Sequence, residues 1–231
     1  FELSCGNYIT FLDADDLYAP TKVEEEVDFL ESHSEYGVAY CRVLSFYNDA
    51  LDVMYHYRRA MPSGNIFRDL LRRQFINPGA VMMRREAFAS EHGFDPLFRD
   101  AEDWDLWRRL SYKGVRFGFV DRELHYNRIH RDSLSGFHNQ IKMKYMNVLS
   151  FEMLFGRMPE EEKKKYGEKE IMRLLRTKLA IAHLLLGEKK EALATFKDAF
   201  RNSAYMILYP FIFFVSVIVP GKLFSGIIKF F

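Results

Sequence analysis

The sequence is poor in cysteine, in net charge and in long apolar runs. Its 231 residues include only Cys5 and Cys41, whose positions suggest neither a disulfide framework nor a zinc site, so a reducing cytoplasmic setting is expected. The formal net charge is +1, and the scattered basic residues argue against recognition of DNA or RNA. The opening residues show no signal-peptide pattern and no initiator Met.

The most extended apolar stretch, 204–219, contains no charged residue. Its 16 residues would reach about 24 Å as a helix, short of the ~30 Å hydrocarbon core, and Pro210 interrupts it. Beyond it, Lys222 and Lys229 alternate with apolar residues in a pattern suited to an anionic membrane surface. We expect 204–231 to be a membrane-associated tail, peripheral on the inner face of the cell membrane, with a buried helix or an oligomer contact as the alternative.

What the chain does contain is an acidic turn after a β-rich run, Tyr8–Asp16. Aspartate is disfavoured in strands, so Asp13, Asp15 and Asp16 should lie in a turn at the carboxyl edge of a sheet, where open α/β sheets bind ligands. Three such charges repel unless a hard cation, Mg²⁺ or Mn²⁺, takes their oxygens, usually together with substrate phosphates. The turn therefore predicts a metal-bound diphosphate.

Other interpretations of this turn remain open. An acidic turn can be a solvated loop or a helix cap. An EF-hand loop fits poorly, because Tyr18 stands where that loop needs glycine. A phosphatase of the haloacid dehalogenase type also carries Asp-x-Asp at a strand tip and would use Asp13 as nucleophile. Downstream, Thr21 and Glu24 have the spacing of a capping box, and Val23, Val27 and Leu30 mark the expected apolar face of a helix.

The segment Gly6–Pro20 closely resembles the nucleotide-sugar-binding segment of family 2 glycosyltransferases, which have the GT-A fold. The resemblance implies that Asp13, Asp15 and Asp16 hold a divalent metal on the diphosphate of a nucleotide-sugar donor. It covers about residues 5 to 135. Segments that open this family's domain are not found, so the expected fold is an α/β, Rossmann-like GT-A domain, incomplete at its N-terminus.

Two further segments carry the same resemblance. Asn77–Arg85 looks like a strand entering a helix, and Glu102–Leu110 looks like the family's Glu-Asp motif. By resemblance, Asp103 is the general base that takes the acceptor's proton, with Glu102 as a second catalytic candidate. Trp104 is a possible acceptor contact. Glu102 could instead favour the helix dipole, and Trp104 could instead pack in the core.

A last stretch, Tyr126–Ser135, is similar to a Tyr-x-Arg-x-His-x-x-Ser-x-Ser segment late in the same domain. Arg128 could neutralise phosphate charge, and His130 could ligate the metal or bind the diphosphate. Two short strands are expected here, over 115–120 and 124–129.

The expected domains are the transferase portion at 1–136, a helical extension at 137–203 and the tail. Within the extension, a helical hairpin is expected around Gly187, and the charge run at 160–165 is expected to be a solvated helix face.

These observations predict a metal-dependent, inverting glycosyltransferase that moves a single sugar from a nucleotide-diphosphate sugar to an envelope glycan or a lipid-linked acceptor. Single transfers are expected because nothing resembles the Gln-x-x-Arg-Trp motif of processive synthases. Two alternatives stay open. One is a degenerate transferase that serves as a membrane-bound binding or scaffold subunit, and the other is the haloacid dehalogenase-type phosphatase.

Overall fold

The computed structural model describes residues 1, 3–47, 50–56, 61–99, 101–129 and 140–201. The chain divides into two compact units between Leu134 and Ser135. The predictions for His130 and for the tail at 204–231 lie outside the described residues.

The described part of the first unit is built on a six-stranded mixed sheet. Its order is β1-β5-β3-β6-β2, with β4 paired to β3. Only the β3–β6 pair is parallel among these strands. The strands are β1 Tyr8–Thr10, β2 Leu17–Tyr18, β3 Val38–Tyr47, β4 Ala50–His56, β5 Val81–Arg84 and β6 Phe117–Ile129, and the helices are α1 Lys22–Ser32, α2 Phe67–Arg72, α3 Arg85–Ser90 and α4 Glu102–Tyr112.

One continuous strand, β6, replaces the two short strands expected over 115–120 and 124–129. The register against β3 shifts on both sides of Arg42, so that Cys41 pairs with Val120 while Val43 pairs with His125. The extra residues are absorbed as bulges, which bend a strand without ending it. The expected break was therefore wrong, and β6 extends to the acidic turn.

The sheet is covered by helices on both faces. Trp107 and Leu110 of α4 are fully buried against one face, together with Tyr40 and Phe117 of the sheet. On the other face, Leu30 of α1 packs in a second core cluster. Burial on both faces fixes the strands, and hence the loops that they carry.

The buried face of α1 agrees with the expected one at Val27 and Leu30 but differs in the first turn. Val23 is 50% exposed, whereas Lys22 and Glu26 are completely buried and joined by an ion pair. A charged side chain can occupy a core position when a partner satisfies it, and a hydrophobic pattern does not reveal that. The predicted capping box is also absent, because Thr21 hydrogen-bonds the carboxylate of Glu25.

The second unit is helical over its described residues, as predicted. A helical hairpin was expected around Gly187, which has a φ of 81° in the turn between α7 and α8. All residues of α6 are at least partly exposed, which agrees with a solvated charge run. Within the described residues, we find no helix with the length and apolar character needed to cross a membrane. The helices are α5 Gln140–Gly156, α6 Glu160–Tyr166, α7 Glu168–Leu185 and α8 Lys189–Ala199.

Candidate active site

The acidic turn lies in the segment that connects β1 to β2, the first and last strands in the order of the sheet. The amide of Asp16 donates to the carbonyl of Asp13 at 3.1 Å and closes the turn. The hydroxyl of Tyr18 hydrogen-bonds both the Phe11 carbonyl and the hydroxyl of Thr10. These bonds fix the two ends of the turn.

The three aspartates of the turn lie in different environments. Asp13 and Asp15 are exposed, whereas Asp16 is only 5% exposed. Its Oδ1 accepts hydrogen bonds from the Arg128 amide at 2.8 Å and from the Asn127 side chain at 3.1 Å. Asp16 is thus engaged by β6, and the two exposed carboxylates remain the candidates for a metal.

Sequence reasoning missed His125. This residue is completely buried on β6, and its Nε2 lies 3.1 Å from Oδ2 of Asp16. A Cβ added to Gly79 would lie 2.6 Å from the same Nε2, so the glycine leaves the space that the ring occupies. His125 is one of several polar residues in β6, so the sequence offered no signal that set it apart.

The side chain of Arg128, which is predicted to bind the donor, lies beside the turn. Its Nε donates to the carbonyl of Asp15 at 2.8 Å, and its guanidinium lies 4.7 Å from the centre of the Phe46 ring. The arrangement brings a permanent positive charge to the acidic turn. A contact to phosphate stays a prediction.

The acidic turn and the Glu-Asp motif converge in the fold. Phe11, which precedes the turn, packs against Phe94, which precedes the motif, with 4.9 Å between ring centroids. Partial burial raises the pKa of Asp13, and the nearby carboxylates of Asp16, Asp15 and Glu102 raise it further. Glu102 therefore lies within electrostatic reach of the turn.

Asp103 occupies the first turn of α4, where it is half-buried. Burial raises its pKa to about 7, and the adjacent Glu102 charge acts in the same direction. The backbone amide of Trp104 and the buried cation of Arg108 oppose the rise. A carboxylate in this range can accept a proton near neutral pH. Trp104 itself is half-buried, and its acceptor contact stays a prediction.

Asp105 and Arg109 brace the loop in front of α4. Nε of Arg109 bonds Oδ2 of Asp105 at 2.6 Å, and its Nη atoms donate to the carbonyls of Glu91 at 2.6 Å and Gly93 at 2.8 Å. Asp105 is therefore a structural partner of Arg109. The brace holds the start of α4 beside the loop that carries Phe94.

A divalent cation suits the chemistry of the turn. Asp13 and Asp15 offer exposed hard oxygen ligands, and the mutual repulsion that raises the Asp13 pKa would be relieved by a positive charge. Among the described residues, no three His, Cys, Asp or Glu side chains are grouped to enclose a metal. Two exposed carboxylates leave the other positions around a hard cation to phosphate and water oxygens.

Solved structures share the fold. The crystal structure of S. aureus TarS 1-349 in complex with UDP-GlcNAc aligns with a TM-score of 0.53 and 13% identity, over 93% of this chain and 64% of that chain. The complex of the same TarS region with UDP gives a TM-score of 0.51 and 14% identity, over 93% and 63% of the two chains. The predicted α/β GT-A fold is confirmed.

Sequence relatives agree with this fold. EpsE of Bacillus subtilis (strain 168), which carries a glycosyltransferase name, is 34% identical over 113 residues, or 48% of this chain and 39% of the relative. An uncharacterized glycosyltransferase of Rickettsia conorii (strain ATCC VR-613 / Malish 7) is 31% identical over 125 residues, or 52% of this chain and 19% of the relative. The chain thus spans 39% or less of these relatives. Residues 1–167 match the family described as Glycosyltransferase like family 2, and the chain belongs to that family.

Proposed function

We propose that this chain carries the catalytic residues of a metal-dependent, inverting glycosyltransferase that moves one sugar from a nucleotide-diphosphate sugar to an acceptor hydroxyl. The observation that carries the proposal is the meeting of two kinds of carboxylate. Exposed Asp13 lies within electrostatic reach of Glu102, at the start of the helix that also carries Asp103, and Asp15 is an exposed residue of the same turn. One group can hold a cation, and the other can accept a proton.

Asp13 and Asp15 would hold the divalent cation, Mg²⁺ or Mn²⁺. When bound, that cation supplies positive charge to the diphosphate and stabilises it as a leaving group. Arg128 is suited to add a second positive charge, because its guanidinium already contacts the turn at the Asp15 carbonyl. His130 stays a predicted ligand of the metal or the diphosphate.

Asp103 would act as the general base. The acceptor oxygen forms a bond to the anomeric carbon while the bond from that carbon to the diphosphate oxygen breaks. The hydroxyl proton goes to the Asp103 carboxylate, and the bonding electron pair leaves with the nucleoside diphosphate. A single displacement of this kind inverts the configuration at the anomeric carbon. The raised pKa of Asp103 supports the role, since a base works best when its pKa lies near the working pH.

The first donor to test is indicated by the solved structures, and the class of acceptor is indicated by the sequence of the tail. TarS was crystallised with UDP-GlcNAc and with UDP, so a UDP-linked sugar is the first donor to test. An envelope glycan or lipid-linked acceptor, reached from the inner face of the membrane, is supported by the uncharged sequence at 204–219. Family membership favours transfer over the phosphatase alternative, while a scaffold role remains an outcome of the experiment below.

The test is calorimetric titration of the chain with UDP in the presence of Mn²⁺ or of a chelator. We expect binding that requires Mn²⁺ and that Asp15→Ala weakens by at least about 100-fold, because a cation ligand is lost. Asp28→Ala is the matched control, since Asp28 is an exposed carboxylate on α1. Equal binding with the chelator contradicts the metal site. Metal-dependent binding without turnover of any UDP-sugar favours the scaffold alternative.

A further inference from the structure

Asp16 differs from Asp13 and Asp15, the other aspartates of the acidic turn, in its burial and in its contacts. It is 5% exposed, and both of its carboxylate oxygens face groups of β6. Oδ1 receives the Arg128 amide at 2.8 Å, and Oδ2 lies 3.1 Å from Nε2 of His125. These contacts use the oxygens that a metal would need, and they lower the pKa of Asp16 in spite of its burial.

His125 is itself held in place by two elements. On one side Gly79 leaves room for the ring, since a Cβ there would overlap it. On another side the ring meets the edge of Tyr18 at 6.0 Å between centroids. The ring is completely buried, and packing places its Nε2 at ion-pair distance from Asp16 but outside hydrogen-bond alignment.

The contacts to β6 fix the chain at Asp15 and Asp16, and Asp16 in turn holds Asp13. The Asp16 amide donates to the Asp13 carbonyl, and Nε of Arg128 donates to the Asp15 carbonyl at 2.8 Å. Arg128 also donates its own amide to Asp16. The backbone of residues 13 to 16 is thus attached to β6 before any ligand arrives, which reduces the ordering that ligand binding would otherwise require.

We propose that Asp16 and His125 are positioning residues that attach the acidic turn to β6, and that Asp16 is not a metal ligand. This inference rests on the proposed function, because what the pair positions is the Asp13 and Asp15 carboxylates for a cation and its diphosphate. The proposal also gives a role to Gly79, which lies in the segment Asn77–Arg85. That glycine lets the ring reach Asp16.

The decisive comparison is between Asp15→Asn and Asp16→Asn, assayed by Mn²⁺ titration with and without UDP. Both changes remove one negative charge and keep the side-chain size. Asp15→Asn should abolish measurable Mn²⁺ binding, whereas Asp16→Asn should weaken it less than about tenfold, because the amide oxygen can still accept from the Arg128 backbone. Asp28→Asn controls for loss of a carboxylate elsewhere. Equal loss in the Asp15 and Asp16 variants overturns the proposal.

Variants of His125 test the other half of the pair. Removal of a supporting group typically weakens a metal site by about 10 to 100-fold, so His125→Leu should lower Mn²⁺ affinity by that factor. His125→Gln keeps an N–H donor and should recover most of the affinity. Gly79→Ala should resemble His125→Leu, because the added methyl group displaces the ring. Thermal melting identifies any variant that does not fold, and the Asp15 and Asp16 comparison does not depend on these variants.

Two negative results have separate meanings. If the wild-type chain binds no UDP in a Mn²⁺-dependent manner, the proposed function fails. If the wild-type chain does bind and His125→Leu, while folded, binds Mn²⁺ equally well, only the positioning role fails. Equal affinity of the Gln and Leu variants, both below wild type, would show that ring shape rather than the Asp16 contact matters, and this also overturns the proposal.

Discussion

The acidic turn between β1 and β2 and the first turn of α4 both carry neighbouring acidic residues, but the two segments differ in how far those residues are buried. The turn exposes Asp13 and Asp15, whereas α4 holds Asp103 half-buried with a pKa near 7. A cation ligand has to be ionised and reachable, while a general base has to bind and release a proton near neutral pH. Burial therefore separates two roles that composition alone cannot.

Each segment is held by residues that do not face the substrate. The turn depends on Asp16 and β6, and the start of α4 depends on Arg109, which bonds Asp105 and two loop carbonyls. In both places an acidic residue beside the functional ones is used as an anchor. Under the proposed function, each group of carboxylates is divided between chemistry and support, and the buried members are the supporting ones.

The largest effect is expected when the base is removed. Asp103→Asn keeps the side chain's size but cannot take the acceptor proton, so transfer should fall by about two to four orders of magnitude. UDP affinity measured by calorimetry should change little, because the acidic turn is intact. Near-normal turnover with Asp103→Asn would remove the contrast between the two segments and return the protein to the scaffold alternative.

The next effect is on the pH dependence of the wild-type enzyme. Because the pKa of Asp103 is raised to about 7, the carboxylate is mostly protonated below that pH and cannot accept a proton. Turnover should therefore rise about tenfold per pH unit up to about pH 7 and then level off. The residual rate of Asp103→Asn should lack this rise. A profile that is flat from pH 5 to 8 would contradict the assignment.

The sequence predicted the elements whose signals are local. The helix from Glu102, the segment from Asn77 into α3 and the hairpin at Gly187 all follow from neighbouring residues. Contacts between distant residues were not predictable in this way. The approach of His125 to Asp16 joins two segments through the β2–β6 pairing, and nothing in either segment alone indicates it.

The prediction for the first turn of α1 was wrong for a related reason, although Val27 and Leu30 pack as predicted. Apolar periodicity indicated Val23, but the helix buries the paired Lys22 and Glu26 in its place. Burial of a charged pair depends on a geometry that only the folded chain supplies, and hydrophobic spacing carries no information about it. The sequence likewise did not show which aspartates of the acidic turn are exposed and which is buried.

A smaller effect should appear in stability. The folded-state pKa of Asp103 is raised above its unfolded value, so the native state binds the proton more tightly and the free energy of unfolding falls as pH rises towards 7. Asp103→Asn should remove this loss and be more stable than wild type at pH 8 by roughly 1–2 kcal/mol, since a pKa unit corresponds to about 1.4 kcal/mol and the side chain still meets solvent. Urea unfolding at pH 5 and pH 8 measures the difference. A variant less stable than wild type at pH 8 would contradict the buried environment.

The smallest effect should come from Glu102, which links the two segments. Its charge raises the pKa of both Asp13 and Asp103, so Glu102→Gln should move the acid limb of turnover to lower pH by roughly half a unit and weaken Mn²⁺ binding about twofold. Glu86→Gln is the matched control, because Glu86 is an exposed glutamate in the first turn of α3. No shift in either measurement would mean that Glu102 has no electrostatic effect on the acidic turn or on Asp103. A fall in turnover of 100-fold or more would instead give Glu102 a direct part in the chemistry, as the Glu-Asp motif first indicated.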